Sequence, residues 1–203
     1  MEVILASASP RRRELLSSVG LEYKVVPADI IEAEYTQGSP AAYARALAQA
    51  KAQAVAYEYP EAIVIGADTI VLCEEQILGK PEDEADAKRM LRFLSGRRHD
   101  VITGVAVAAG CGPCAGQTLL SHVQSGVYFR ELTDDEIDAY VAGGEPLDKA
   151  GAYGIQGVAA LFIERIDGCY FNIVGLPLYK VGAMLNQCGV ALLTRRHALA
   201  GSR

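Results

Sequence analysis

Ser7-Ala-Ser-Pro-Arg-Arg-Arg13 places two hydroxyls and three guanidinium groups directly behind a short apolar run of strand type that starts at Glu2. Ser9 followed by Pro10 reads as a helix N-cap with proline at the first helical position. The amino end of a helix carries a partial positive charge and unpaired N–H groups, so each cation in its first turn is disfavoured by ~0.3–1 kcal/mol. Three arginines there call for a compensating anion. Hydroxyls, N–H groups and guanidinium forks all suit phosphate oxygens, which makes Ser7, Ser9, Arg11 and Arg12 candidates for a phosphate site. A solvated basic surface turn is the competing reading.

A second candidate, Asp68, lies in the middle of the continuous apolar run Ala62 to Leu72, the pattern of a strand buried on both faces. Removing a carboxylate from water costs several kcal/mol unless it is hydrogen-bonded, paired or bound to metal. Asp68 is therefore a candidate general base or metal ligand, with the Thr69 hydroxyl beside it; a satisfied structural carboxylate at a strand bend is the alternative. Lys80, in Gly79-Lys-Pro81, is held at a loop by the proline and could also meet phosphate. Lys51, far along an alanine-rich helix, is equally well an ordinary solvated lysine. The glycine-rich stretch Asp148-Lys-Ala-Gly-Ala-Tyr-Gly-Ile-Gln-Gly157 permits close backbone approach to a ligand, and Gln156 can both donate and accept, as reading a base edge requires. Glu32 and Glu34 fall in a polar loop from Pro27 to Gly38.

The elements that must position these groups follow from periodicity and punctuation. A helix runs from Pro10 to about Gly20, and a short strand from Tyr23 to Val26. Ser39-Pro40 repeats the cap signal and opens a helix to about Glu58. Glu82 to Leu94 is amphipathic, and Gly96 stops it. Asp100–Ala109 and Leu119–Leu132 read as paired strands joined by a hairpin loop containing Cys111-Gly-Pro-Cys114. Thr133-Asp-Asp-Glu136 is a capping box for a helix to about Ala142. Ala160–Ile166 and Tyr170–Val174 read as two strands joined at Asp167-Gly168, and Leu176–Gln187 as a last helix. His99, which stands in a basic turn, His122 and His197 read as structural or surface residues.

The chain of 203 residues, 51% hydrophobic, suits one domain with a substantial core. Its net charge of −6 argues against general binding to nucleic acid or anionic membrane. No apolar run approaches the roughly 18 residues that a membrane helix needs, and no export leader is evident, so a cytoplasmic protein is expected. Five scattered cysteines do not suit a disulfide framework. The usual P-loop and dinucleotide glycine patterns are missing, and the inventory suits phosphoanhydride hydrolysis, in which cations stabilise phosphate charge and a carboxylate prepares water, directly or through a divalent metal.

Ser7-Ala-Ser-Pro-Arg-Arg12, Gly66-Ala-Asp-Thr-Ile-Val71, Gly79-Lys-Pro81 and Asp148 to Gly157 together resemble, in order, the motifs of the Maf proteins, nucleoside triphosphate pyrophosphatases; the resemblance runs from about residue 2 to 188. It implies an α/β fold over residues 1–189, with an elongated mixed β-sheet flanked by helices and two lobes around a central cleft in a Maf/ITPase-like arrangement, followed by a C-terminal tail, 190–203. It implies cleavage of a nucleoside triphosphate between the α and β phosphates, with Mg2+ or Mn2+ as divalent cation, in a homodimer. By the same resemblance Asp68 is the proton acceptor, Ser7, Arg11, Arg12, Lys51 and Lys80 bind phosphate, and Glu32 joins Asp68 as an acidic metal position. Arg11, Thr69 and Gln156 match the residues that distinguish the branch acting on dTTP and UTP, a role that would remove non-standard or excess pyrimidine nucleotides. A 7-methyl-GTP-type pyrophosphatase, a non-catalytic nucleotide-binding regulator of septum formation and a thiol oxidoreductase using Cys111 and Cys114 are the alternatives.

Overall fold

Strand β3 (Ile63–Cys73) runs through the centre of a seven-stranded mixed sheet. The computed structural model describes residues 1–31, 35 and 38–193; Glu32, Glu34, His197 and the tail beyond 193 lie outside the described residues. On one edge β3 pairs antiparallel with β5 (Arg98–Ala109) along nearly its whole length, and β5 continues antiparallel into β6 (Gln117–Phe129) and β7 (Ile163–Asp167). On the other edge β1 (Val3–Leu5) lies parallel to Ile63–Ile65 only, with β2 (Lys24–Val25) outside it, while β4 (Gln76–Leu78) folds back on Val71–Cys73. Between those two partners neither strand covers Gly66 to Ile70. The sheet therefore opens at the carboxyl end of β1, the position where open α/β sheets take ligands.

One face of the sheet is covered by α2 (Pro40–Glu58), whose Ala44, Ala48 and Ala52 are fully buried. The small residues bring two backbones into contact. A Cβ on Gly66 would stand 2.3 Å from the Ala48 carbonyl oxygen, and one on Gly104 2.2 Å from that of Ala44. Strand glycines at a close backbone approach explain why an otherwise β-forming run tolerates them.

The opposite face carries two apolar clusters side by side. In the first, α1 (Pro10–Ser18) and α6 (Leu178–Gln187) pack Leu15, Leu16, Val181 and Leu185 on Leu5, Ile65 and Val105. In the second, α3 (Glu84–Leu94) and α4 (Asp134–Ala142) pack Leu91, Leu94 and Ile137 on Val71, Val101 and Phe129. Thr69 and its cross-strand partner Thr103 lie at the seam. The mixed sheet with flanking helices agrees with the architecture expected from sequence.

Three local readings need correction. Tyr170–Val174 is a short helix, α5, not a strand, because Asn172 turns its amide onto the Val101 carbonyl and Ser125 Oγ, at 2.9 Å each, and docks the segment across β5 and β6. A five-residue apolar run does not distinguish the two states by periodicity. Residues Val158–Phe162 form a 3-10 turn, so β7 begins only at Ile163. His99 sits inside β5 and is buried, rather than in a basic turn. The Thr133/Glu136 capping box and the Ser39 cap are present as read, and the Cys111–Cys114 stretch is the tip of the β5–β6 hairpin, with Cys114 Sγ donating to the Gln187 carbonyl at 3.4 Å.

Candidate active site

A cleft of about 700 Å³ lies at the opening beside β3, lined by the β1–α1 turn, the middle of β3, Gly79-Lys80 and the loop from Asp148 to Gln156. It gathers Ser7, Ser9, Arg11, Arg12, Lys51, Asp68, Thr69, Lys80 and Gln156, every proposed site residue apart from Glu32, which lies outside the described residues.

The turn after β1 does not behave as a simple side-chain cap. Ser9 makes no side-chain capping bond; its N–H donates to Ser7 Oγ at 3.2 Å. Of the three arginines only Arg11 and Arg12 line the cleft. Arg13 folds back and donates to the Ala8 carbonyl at 2.7 Å, so it is satisfied within its own turn. Arg11 stands 3.5 Å from an Asp148 carboxylate oxygen on the far wall. Burial pushes the Asp148 pKa up, but the hydrogen bond from Lys149 and the charges of Lys149 and Arg11 outweigh it and hold the carboxyl below its ordinary range.

Asp68 and Lys51 form the floor. The Lys51 ammonium donates to Asp68 Oδ1 at 2.6 Å, with side chains only 15% and 11% exposed. Lys51 falls between Leu47 and Val55 on the buried row of α2, and the alanine-glycine contact holds that row against β3. A cation four residues from buried apolar neighbours on both sides was the signal that it is not an ordinary solvated lysine.

Arg12 is held from three directions. Its Nε donates to the Gly175 carbonyl at 2.9 Å, one terminal nitrogen to Ser7 Oγ at 3.1 Å, and the other to Thr69 Oγ1 at 3.1 Å. Thr69 in turn meets Thr103 Oγ1 at 2.9 Å, and Thr103 donates to the Asn172 carbonyl at 3.0 Å. The part played by α5 behind Arg12 was not legible, because Tyr170–Val174 reads as a strand.

The far wall is a tightly pinned loop. Two short 3-10 turns, Glu145–Asp148 and Ala150–Ala152, carry Gly151 at φ +69° and the non-glycine Ala152 at φ +59°. The Gly151 N–H donates to the Gly79 carbonyl at 2.9 Å and so joins this loop to Lys80's turn. Tyr153 runs inward, its hydroxyl 2.7 Å from His99 Nε2, among the edge-on rings of His99 and Phe129. Burial, the largest influence, drives the His99 pKa down to about 4. The Tyr153 phenol is raised chiefly by burial, so the pair is neutral at ordinary pH. Gln156 is exposed at the mouth.

Among the described residues no group of three or more His, Cys, Asp or Glu side chains converges on a metal position. A magnesium-like cation carried by substrate phosphates needs only one or two protein carboxylates, and the hard oxygens of Asp68 fit that requirement.

A mixed α/β sheet split beside its central strand, with a cationic turn and a buried carboxylate facing one cleft, describes a protein built to take a small polyanion. The chain belongs to the Maf-like protein family, whose model matches residues 2–188. A dTTP/UTP pyrophosphatase of Moorella thermoacetica is 55% identical over 93% of this chain and 96% of its own length. Proteins of the same name from Symbiobacterium thermophilum and Syntrophomonas wolfei are 48% and 46% identical, covering 95% and 93% of this chain and 97% and 98% of their own.

Proposed function

We propose that this chain is a nucleoside triphosphate pyrophosphatase that hydrolyses dTTP and UTP to the nucleoside monophosphate and pyrophosphate. The observation that carries the reading is the position of Asp68, a buried carboxylate whose cleft is shared with Arg11, Arg12, Lys51 and Lys80. Family membership and relatives named for this activity support it.

In this reading the triphosphate lies along the β1–α1 turn, its oxygens taken by Ser7, Ser9, Arg11, Arg12 and Lys80. Asp68 accepts a proton from water as the water oxygen bonds to the α phosphorus. The α–β bridging bond then breaks and its electron pair leaves with pyrophosphate. Lys51 compensates the buried carboxylate and, lining the same cleft, offers its ammonium to the phosphates. Asp68, with Glu32, would hold a Mg2+ or Mn2+ ion, which when bound supplies charge neutralisation for the phosphates. Gln156 at the mouth offers the donor and acceptor that complement the O4 and N3–H edge of uracil or thymine, leaving groups unpaired against a purine. No described helix is long and apolar enough to cross a membrane, and a homodimer in the cytoplasm is the setting we assign.

The test is kcat/KM for dTTP, UTP, GTP and 7-methyl-GTP with purified protein and magnesium or manganese. Preference for dTTP and UTP is expected. Preference for a purine would overturn the base assignment, and binding without turnover would favour a regulator.

A further inference from the structure

Thr103 is fully buried and does not line the cleft, yet it stands where two supports of Arg12 meet. Along one route Arg12 donates to Thr69, and Thr69 meets Thr103. Along the other Arg12 Nε donates to the Gly175 carbonyl at the end of α5, and the Thr103 hydroxyl donates to the carbonyl of Asn172 in α5. The two routes close a ring through Arg12, Thr69, Thr103, Asn172 and Gly175.

The direction of every proton in the chain is then determined. A guanidinium only donates and a carbonyl only accepts, so the two hydroxyls between them have one consistent arrangement. Arg12 donates to Thr69, Thr69 to Thr103, and Thr103 to Asn172. Thr69 is thereby held as an acceptor toward Arg12, and α5 is held at the spacing that places the Gly175 carbonyl on Nε. The end of α5 lies directly against both groups, since a Cβ on Gly175 would meet Thr69 Oγ1 at 3.5 Å and Arg12 Nε at 3.7 Å, ordinary contact distances.

We infer that Thr103 is a positioning residue of the phosphate site, its hydroxyl locking the seat of Arg12 through Thr69 and through α5. This rests on the reading of Arg12 as a phosphate ligand. A long guanidinium held before the ligand arrives loses less freedom on binding, so the lock belongs to affinity for the polyanion rather than to proton transfer at Asp68.

The hydroxyl and the packing role of Thr103 are separated by two substitutions. Thr103→Val keeps the shape and removes the hydroxyl; Thr103→Ser keeps the hydroxyl and removes the methyl group. The expected result for T103V is a KM for dTTP about tenfold higher with kcat within twofold, while T103S keeps both within twofold. Calorimetric titration with inorganic tripolyphosphate gives a readout independent of turnover and of the base, with binding about tenfold weaker in T103V and unchanged in T103S. If wild-type protein binds tripolyphosphate but hydrolyses no nucleotide, the pyrophosphatase reading fails and the titration still decides the role of Thr103. Unchanged affinity in T103V, an equal loss in T103S, or a fall in kcat at constant KM would overturn the inference. T103A, lacking both groups, replaces T103V if the valine variant does not fold, with the same expected loss of affinity.

Discussion

The Asp68–Lys51 pair holds a negative charge in a place where an unpaired one would be costly, and it does so beside a cluster of cations that has room for several more. The pairing gives Asp68 a fixed position, and substitution separates its chemical role from its electrostatic one. Asp68→Asn keeps the shape and removes the carboxylate proposed as the base. Its kcat for dTTP is expected to fall roughly a hundred- to ten-thousand-fold while nucleotide affinity, measured by calorimetry, is retained. The arginines make a second residue-scale contrast. Arg12→Ala removes a cleft guanidinium and should raise KM, whereas Arg13→Ala, on a side chain that donates to its own turn, should leave kcat/KM within twofold. Equal losses in the two would show that the first turn acts as a diffuse positive patch.

At the scale of elements, the cleft depends on two packed supports. The first is the contact of α2 with β3 and β5. Gly104→Ala would drive a methyl group into the Ala44 carbonyl, so α2 must lift; a loss of at least about 1–3 kcal/mol is expected in denaturant unfolding, with weakened nucleotide binding because Lys51 rides on that helix. The second is the anchor of the Asp148–Gln156 loop by Tyr153 on His99. His99 is neutral in the fold and has an ordinary pKa near 6.5 when unfolded, so on acidification the unfolded chain takes up the proton first. The fold thus keeps its full stability above pH 6.5 and loses about 3 kcal/mol from this group as pH falls to about 4. Urea unfolding across that window should show the slope in wild-type protein and a shallower one in His99→Gln.

For the whole molecule, what was legible in sequence divides along physical lines. The long buried strand, the Ser39 cap, the Thr133/Glu136 capping box and the two proline-led helices were readable because each rests on local chemistry or on a run of one residue class, and the paired strands around Cys111–Cys114 followed from alternation. The cleft residues were readable by type, since hydroxyls beside guanidinium groups and an acid inside an apolar run are anomalies that need a partner. What was not readable depended on contacts distant in sequence. Arg13 looks identical to Arg12 until the Ala8 carbonyl captures it. His99 looks like a turn residue until Tyr153, far along the chain, encloses it. Thr103 gives no signal at all without α5, whose helical state comes from Asn172 docking on β5 and β6.

The central claim is that water prepared by Asp68 attacks the α phosphorus of a pyrimidine nucleoside triphosphate held in this cleft. Hydrolysis of dTTP in heavy-oxygen water, followed by mass spectrometry of both products, reads the bond that forms. The label is expected in dTMP and absent from pyrophosphate, with D68N forming neither product at a comparable rate. Label in pyrophosphate, release of dTDP and inorganic phosphate, or undiminished turnover by D68N would contradict it.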